Sequence, residues 1–304
     1  MKKIPVLLII LLLTTIFSCS THKNKLKHYP ERFTPPGTVQ ISDSLFYDEG
    51  EITNQYYRDY LYWIEMVYGN DSEEWHNAAK GTDAWKTFIS RSRINADELF
   101  HYFRYPVYND YPVVGITQEQ AWSYCQWRAD RVFEYILVSK GIIKYDTAQT
   151  METHFTIERF FNGQIKKLKD CDIIYYPEYS LPTYSEYKMA VAYSDSIYAL
   201  QKTSRRVKEF CEKPYAERHY YLDISLVDTL EDYPLHPSYS GLCSPISNIR
   251  GNVSEWITES NKVVGGSWND PPDSIREQDL FTAPEPTIWI GFRCVARMKK
   301  WVID

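Results

Sequence analysis

The sequence lacks the short motifs by which many hydrolases, nucleotide-binding proteins and metalloenzymes are recognised. Its seven histidines are scattered, with no HxxxH or HxH pair to hold a metal ion. The serine-nucleophile motif GxSxG is absent, and so is the phosphate-binding pattern GxxxxGK followed by serine or threonine. The 40 acidic residues offer too many carboxylate pairs to single out a glycosidase dyad. Motifs therefore give no support to these enzyme classes.

A concentrated basic surface is also missing. The chain has 34 basic and 40 acidic residues, and its formal net charge is −6. Removal of residues 1–18 as a signal peptide would delete Lys2 and Lys3, leaving 32 basic residues against 40 acidic ones. These charges are spread without long runs. Because binding to duplex DNA depends on clustered positive charge, nucleic acid is not an expected partner.

The cysteines show no CxxC motif or other tight pair. If Cys19 is modified, an odd number remain, and an odd number cannot all pair within one chain. They are Cys125, Cys171, Cys211, Cys243 and Cys294. Since Cys125 and Cys294 lie in apolar segments, we predict that these two are buried thiols that pack as small hydrophobic side chains.

The N-terminus is typical of an exported protein. Lys2 and Lys3 precede an apolar run, Ile4–Phe17, which is short for a membrane span but suits a secretory signal. The sequence IFSC at positions 16–19 resembles a bacterial lipobox, which predicts cleavage after residue 18 and lipidation of Cys19. The alternative is an ordinary signal peptide followed by an incidental cysteine. A lipid anchor would hold the protein at a bilayer.

The segment that follows Cys19 predicts where the protein is held. Ser20–Lys25 contains no acidic cluster of the kind that directs some lipoproteins to the cell surface. We therefore expect a periplasm-facing position at the outer membrane. Residues 19–37 are polar and basic with prolines, which is typical of a flexible tether. Residues 38–304 contain no second hydrophobic span and are long enough to bury a full core.

Local patterns predict a mixture of short strands and helices. Val39–Ile41 and Leu45–Tyr47 are expected to be strands on either side of a polar turn. A helix is expected over Gln55–Tyr68, with Thr53 or Asn54 as its N-cap. The high tyrosine content, 26 residues, suits either a contact surface or a core rich in aromatic side chains.

Several motif blocks occur in a defined order between residues 38 and 298. They are DEGEITNQY at 48–56, PVVGITQEQAWSYCQW at 112–127, LPTYSEY at 181–187, NIRGNVSEW at 248–256, GGSW at 265–268 and IGFRC at 290–294. This series resembles the formylglycine-generating enzyme, or sulfatase-modifying factor, family. The resemblance implies an α+β fold related to C-type lectins, with long loops. The second block also reads as a strand followed by a helix, with capping-box spacing from Thr117 to Gln120.

The same resemblance places two catalytic positions in this chain. Catalytic members carry two cysteines, five residues apart, which bind copper and oxidise a substrate cysteine. The corresponding positions here are Asp270 and Ile275, and neither can supply the thiolate that Cu(I) selects. We therefore expect no catalytic residues and no copper. An oxidase with a non-standard site is the alternative from the enzyme class.

A long insertion separates two of the motif blocks. Residues 128–180 stand where the family usually has a short link, and a helix is expected over Asp130–Ser139. The insertion resembles the same region of gliding-motility and type IX secretion lipoproteins, although the chain departs from them after Tyr187 and reads as a helix over Leu200–Glu212. These relatives imply a structural or accessory lipoprotein in an outer-membrane assembly, with outer-membrane or periplasmic proteins as partners. A glycan- or peptidoglycan-binding lipoprotein is a further alternative.

The resemblance also implies a calcium site. In the family, three backbone carbonyls and a glutamate side chain hold calcium, and the matching residues here are Asn248, Gly251, Val253 and Glu255. Carbonyl and carboxylate oxygens with added water suit calcium. Glu255 could instead cap a turn or pair with a cation such as Arg250.

Elementary packing gives the closing motifs a structural reading as well. Gly251 and the Gly265–Gly266 pair allow positive φ angles or close backbone approach. Trp256, Trp268 and Phe292 are expected to fill the core. Arg293 is expected to be a buried arginine that pairs with a carboxylate.

Overall fold

The computed structural model describes residues 33–79, 102–168, 173–201, 238, 245–271 and 280–302. The described helices are α1 (Asn54–Tyr68), α2 (Glu73–Ala79), α3 (Gln118–Ser139), α4 (Ile157–Phe161) and α5 (Tyr184–Gln201), with a short 3-10 turn at Pro106–Tyr108. The described strands are β1 (Thr38–Gln40), β2 (Leu45–Asp48), β3 (Ile173–Ser180), β4 (Ser254–Trp256), β5 (Lys262–Val264), β6 (Leu280–Thr282), β7 (Ile290–Gly291) and β8 (Val295–Val302). This is a mixed α+β architecture, as the sequence predicted.

One sheet joins the two ends of the described chain. Its strand order is β1-β2-β8-β3, and every neighbouring pair is antiparallel. Strand β8 pairs with β3 at eight positions, from Ile173 opposite Val302 to Ser180 opposite Val295. The C-terminal strand is therefore an inner strand of this sheet.

A second sheet carries the closing motifs. Its order is β6-β5-β4-β7, and the pairing of β4 with β7 is parallel. The strands are only two or three residues long. Gly265 follows β5 with a φ of +87°, and a Cβ added there would lie 3.3 Å from the carbonyl oxygen of Ile249. Positive φ was predicted here, and glycine adopts it at little cost.

The predicted elements at the start of the domain are confirmed. Strands β1 and β2 lie within one residue of the expected bounds, and α1 begins at Asn54. Thr53 is the N-cap, since its Oγ1 accepts a hydrogen bond of 3.2 Å from the Tyr56 amide. The helix buries five residues on its inward side, including three at positions 57, 60 and 64.

The strand predicted at the start of the second motif block, 112–127, is not found. Pro112 makes only an isolated bridge to Thr53, and Gly115 has a φ of +74°. Val113 donates to the Ile52 carbonyl at 2.8 Å, whereas Gly115 donates to the Thr287 carbonyl at 3.0 Å. The segment lacks a ladder because its hydrogen bonds go to two different parts of the chain, and Pro112 has no amide hydrogen to donate.

Helix α3 has the predicted capping box. The Thr117 hydroxyl accepts from the Gln120 amide at 3.1 Å, and the Gln120 side chain accepts from the Thr117 amide at 2.9 Å. The helix then continues without a break to Ser139. The helix predicted over Asp130–Ser139 is therefore the second half of α3. The two halves are continuous because the sequence of α3 contains no proline or glycine.

Replacing Thr117 with alanine should lower the free energy of unfolding by about 1 kcal/mol, because it leaves the Gln120 amide without its side-chain acceptor. Thr147→Ala is the matched control, since Thr147 lies in an exposed loop. Urea unfolding of both variants measures the effect. Equal stability of the two variants would contradict a stabilising cap at α3.

The predicted insertion contributes both a separate cluster of core residues and a strand. Phe133, Leu137, Phe155, Phe160 and Ile174 form a buried cluster between α3, α4 and β3. Strand β3 falls within residues 128–180 and pairs with β8 along its full length. The end of the insertion is thus built into the main sheet, whereas residues 128–168 lie outside that sheet.

Asp130 gives the insertion a pH-dependent contribution to stability. Its Oδ1 accepts a hydrogen bond of 2.8 Å from the Ile157 amide at the start of α4. Burial raises the pKa of Asp130 from 3.8 to about 6, against the lowering effect of that hydrogen bond and of Arg131. Between these two values the unfolded chain ionises while the folded chain keeps its proton, so stability should fall as pH rises from about 4 to 6.

Asp130→Asn should remove this pH dependence while keeping an oxygen for the Ile157 amide. We expect the wild-type chain to lose stability relative to the variant by on the order of 1 kcal/mol per pH unit in that window. Chemical unfolding of both proteins at pH 4, 5, 6 and 7 makes the comparison. Parallel curves for the two proteins would show that Asp130 does not keep its proton in the folded state.

The remaining core confirms several predictions made from residue type. Trp256, Trp268 and Phe292 are each at most 2% exposed, and Cys125 and Cys294 are fully buried. The tyrosines confirm the prediction of an aromatic core, and others lie at the surface, where the contact role stays a prediction. Some fill the core, namely Tyr47, Tyr57, Tyr60, Tyr102, Tyr124, Tyr179 and Tyr187, whereas Tyr62, Tyr105 and Tyr135 are more than half exposed.

Some predictions concern residues outside the described ranges. These residues are the signal peptide, Cys19, Ile275, Cys171, Cys211 and Cys243. The helix expected over Leu200–Glu212 is described only to Gln201, where α5 ends. Within the described ranges, no helix combines the length and apolar character needed to cross a bilayer.

Candidate functional site: a buried polar centre

The two sheets meet at a set of buried charged side chains. Arg293, in the link between β7 and β8, is 0% exposed, and Glu255 on β4 is 1% exposed. The Arg293 Nε donates to Glu255 Oε2 at 2.7 Å, and its Nη2 donates to Oε1. The same guanidinium donates to the Ser247 carbonyl at 3.0 Å. The two side chains therefore form a buried bidentate ion pair, the strongest geometry for arginine and carboxylate.

A second carboxylate lies beside this pair. Glu51, in the link between β2 and α1, is 0% exposed. Its two oxygens accept from the side-chain amides of Asn252, at 2.9 Å, and Asn248, at 3.3 Å. Burial raises the pKa of Glu51 to about 8, although the positive charge of Arg293 opposes that shift. The positive charge of Arg293 therefore offsets the effect of burial on the Glu51 pKa only in part.

The loop before β4 is shaped to present these amides. Asn248 and Asn252 have φ angles of +50° and +60°, and Gly251 between them has a φ of +82°. Asparagine tolerates this left-handed region better than most residues. The Gly251 amide donates to the Gly265 carbonyl at 2.8 Å, which ties the loop to the end of β5.

A third buried acid, Asp48, completes the centre at the end of β2. Its Oδ2 accepts from the Cys294 amide and from Arg128 Nη1, each at 2.7 Å. The Arg128 guanidinium lies 4.5 Å from the centroid of the Tyr179 ring. Asp48 therefore links helix α3 to the start of β8 through charge-assisted hydrogen bonds.

The predicted calcium ligands border this centre. Asn248, Gly251, Val253 and Glu255 lie along one loop and the strand that follows it, but both Glu255 oxygens are bonded to Arg293. The Asn248 carbonyl also accepts from Arg293, at 3.4 Å. Calcium at these positions would share its carboxylate with a guanidinium, which does not fit a site for a dication. Within the described ranges, no group of three or more acidic, histidine or cysteine side chains is arranged to hold a metal ion. The calcium site stays a prediction.

The alternative partner proposed for Glu255 is wrong. Arg250 pairs with Asp195 at the surface, with both nitrogen–oxygen distances 2.9 Å. The structure confirms that Arg293 is a buried arginine paired with a carboxylate, and its partner is Glu255. Sequence reasoning gave no role to Asp48 or Glu51, although both lie in the acidic block that precedes α1.

Asp270, which stands where the family's first catalytic cysteine is expected, makes structural hydrogen bonds. The Asp270 Oδ2 accepts from the Ser267 amide at 2.8 Å and from the Ser267 hydroxyl at 2.7 Å. The Asp270 amide donates back to the Ser267 carbonyl at 3.0 Å. Asp270 thus closes a tight turn at the end of the GGSW block. A carboxylate in this role is a hydrogen-bond acceptor and offers no thiol chemistry.

A sequence model of a known protein family matches almost the whole chain. The model for the sulfatase-modifying factor enzyme 1-like domain matches residues 14–298. The chain belongs to the sulfatase-modifying factor family. Its mixed α+β fold is the one that this family membership implies. Membership does not by itself carry the family's chemistry to this chain, because function depends on the residues of the site.

Two further comparisons add little to the family assignment. A crystal structure described as CarF aligns with 84% of this chain and 87% of its own, at 16% sequence identity and a TM-score of 0.37. No curated protein matches the sequence.

Proposed function

We propose that this member of the sulfatase-modifying factor family is a lipid-anchored, catalytically silent protein that serves as a structural or accessory component of an outer-membrane assembly. The assembly would be of the secretion or gliding kind. The observation that supports the catalytic silence is that Asp270, which stands where the family resemblance places a catalytic cysteine, is bonded to Ser267.

The chemistry of the described cysteines supports the same view. Copper in the Cu(I) state selects soft thiolate ligands, and the carboxylate of Asp270 is a hard oxygen ligand. The cysteines within the described ranges, Cys125 and Cys294, are fully buried in the core. Burial raises the pKa of the Cys125 thiol. A buried protonated thiol is a poor ligand and a poor nucleophile.

Exposed aromatic side chains supply candidate contact points for a partner. Tyr62 on α1, and Trp122 and Tyr135 on α3, are 69%, 53% and 66% exposed. Aromatic residues are enriched in protein interfaces because they combine large apolar area with a polar group. The polar centre, in contrast, is sealed in the interior and suits a structural purpose.

The N-terminal sequence supplies the proposed anchor. Lipidation at Cys19 would place the protein on the periplasmic face of the outer membrane, and residues 19–37 would act as its tether. The proposed partners are outer-membrane or periplasmic proteins of the same assembly.

The experiment that tests this proposal is affinity purification of the lipidated protein from crosslinked, mildly solubilised envelopes, with identification of partners by mass spectrometry. The control is Cys19→Ala, which should lose the anchor. We expect a defined set of outer-membrane proteins with the wild-type chain and their loss with the control. Recovery of the same background from both proteins would contradict the proposal.

Two companion assays separate the alternatives. Retention on peptidoglycan or glycan resin, lost when Trp122 is replaced by alanine, would favour a glycan-binding lipoprotein. Conversion of a cysteine-containing peptide by the purified chain with copper would favour an oxidase with a non-standard site. We expect neither result.

Calcium binding at the loop before β4 would require Glu255 to give up its bonds to Arg293, and it can be tested separately. Any ligand that binds only the folded state raises the melting temperature, by mass action. Thermal unfolding should be compared in calcium and in chelator, with Glu255→Gln as the control variant. A calcium-dependent rise that the variant loses would support the predicted ligands, and the same melting temperature in both buffers would contradict them.

A further inference from the structure

Two pairs of lysines lie together in the insertion, close to the ends of its two helices. Lys140 and Lys144 follow the last residue of α3, and Lys166 and Lys167 follow α4. All four are exposed. The Lys166 Nζ donates to the Ile142 carbonyl at 2.9 Å, which joins the two segments. The sequence contains no long basic run, so the fold is what brings these charges together.

Acidic side chains are absent from both segments. Residues 139–145 and 162–168 contain the four lysines and no aspartate or glutamate, in a chain whose formal net charge is −6. We call these two segments the lysine surface. Asp146 borders it, with an oxygen that accepts from the Ala148 amide at 2.9 Å. Asp170 and Asp172 come next in the sequence and lie outside the described residues. Positive charge is thus concentrated locally on an acidic protein.

Apolar side chains attach the lysine surface to the core of the insertion. The cluster around Phe133 and Phe160 is covered by partly buried residues from both segments, namely Ile142, Ile143, Ile165 and Leu168. Tyr145, next to Lys144, is 59% exposed. Lysines mixed with apolar and aromatic residues are typical of protein surfaces that lie in the headgroup layer of a membrane.

We infer that the lysine surface binds the anionic phospholipid headgroups of the bilayer to which the protein is anchored. The inference rests on the anchor in the proposed function and adds a second contact with the same bilayer. Lysines are attracted to a negative membrane surface within about a Debye length, about 8 Å at physiological salt. The rest of the chain carries net negative charge and is repelled by the same surface. The lysine surface is therefore the face that turns toward the lipid.

The tether is long enough for this contact. The Arg128 Nη2 donates to the Pro36 carbonyl at 2.9 Å, so the end of the tether lies beside the middle of α3. Lys140 follows about 12 residues later, which is about 18 Å along a helix. About 17 residues separate Cys19 from Pro36, and a flexible chain of that length spans about 20–25 Å on average. The anchor and the lysine surface can therefore reach one bilayer together.

The test replaces the lipid with an artificial anchor, so that its result does not depend on lipidation of Cys19. A chain that starts at Ser20, and so keeps every described residue, is held by an N-terminal histidine tag on vesicles that contain a nickel-chelating lipid. The vesicles consist of phosphatidylcholine with or without phosphatidylglycerol. A short pulse of an acetylating reagent modifies accessible lysines, and mass spectrometry measures the rate at each one.

We expect the four lysines of the lysine surface to be acetylated at least about threefold more slowly on vesicles with phosphatidylglycerol. High salt should abolish the difference, because it screens the attraction. Lys188 on α5 is also exposed and is the internal control, whose rate should stay the same. Equal rates on the two kinds of vesicle, or equal slowing at Lys188, would overturn the inference.

Charge reversal distinguishes binding by the whole lysine surface from shielding of single side chains. Lys140→Glu with Lys144→Glu should restore fast acetylation of Lys166 and Lys167 on the anionic vesicles. Lys188→Glu with Lys262→Glu is the matched control, since it changes the net charge equally but on α5 and β5. The control should keep the slow rates. Slow rates that persist in the first variant, or that are lost equally in both, would overturn the inference. Unchanged melting temperatures establish that both variants fold.

Discussion

Arg293→Met should lower the free energy of unfolding by about 3–5 kcal/mol. Methionine keeps much of the side-chain volume but removes the positive charge that pairs with the buried Glu255. Glu255 would lose its bidentate partner. Glu51 keeps its proton at neutral pH, because its pKa is about 8, so the expected loss comes from Glu255. Leaving a buried carboxylate without a partner carries a large free-energy cost. The loss of stability should therefore far exceed the loss from breaking a surface ion pair. Guanidinium unfolding at neutral pH measures it.

The matched control for this prediction is Arg250→Met. Arg250 makes an equally regular pair with Asp195, but the two side chains are 32% and 58% exposed. Exposed pairs contribute about 0–1 kcal/mol. If both methionine variants were equally stable, burial would not be the reason for the importance of Arg293.

A double variant tests whether Arg293 acts through Glu255. Replacing both residues with methionine removes the two charges together, which is often far less destabilising than removing one. We expect Arg293→Met with Glu255→Met to be more stable than the sum of the single losses predicts. Additive losses would mean that the two side chains are not coupled.

Phe133→Ala should lower the free energy of unfolding by about 3–5 kcal/mol. Phe133 is fully buried on α3, and its ring centroid lies 5.3 Å from that of Phe160 and 5.9 Å from that of Tyr176. Its removal would leave a cavity between the helices of the insertion and strand β3. The expected loss therefore measures how far the insertion supports the main sheet.

Tyr135→Ala is the control for that change, because Tyr135 lies on the same helix and is 66% exposed. We expect its unfolding to stay within about 0.5 kcal/mol of the wild type. Urea unfolding followed by both far-ultraviolet circular dichroism and tryptophan fluorescence makes the comparison. A single shifted transition in Phe133→Ala supports one cooperative unit. A transition that affects only one signal would show that the insertion unfolds separately.

Local signals in the sequence predicted the structure well wherever they involved neighbouring residues. The Thr53 cap and the Thr117–Gln120 capping box each depend on a spacing of three residues, and both were found. The prediction at Pro112 was wrong because a run of β-branched residues suggests a strand even where the backbone partners belong to different segments.

Contacts between distant residues were beyond prediction from one sequence. Arg293 could be expected to need a carboxylate, but its partner lies 38 residues away among 40 acidic residues. The motif blocks contain the residues of the polar centre. The hydrogen-bond partners of Glu51 and Asp48 could not be predicted from the sequence, because they lie far away along the chain.

The inner position of β8 affects how the protein can be assembled during synthesis. Strands β1, β2 and β3 all emerge before β8, yet β8 separates β2 from β3 in the finished sheet. Until residues 295–302 are released, the edges of β2 and β3 have no partner within that sheet, and such edges invite association with other chains. The strand edges that later face β8 are therefore open to association until β8 pairs with them, and shortening the C-terminus would remove an inner strand of the sheet.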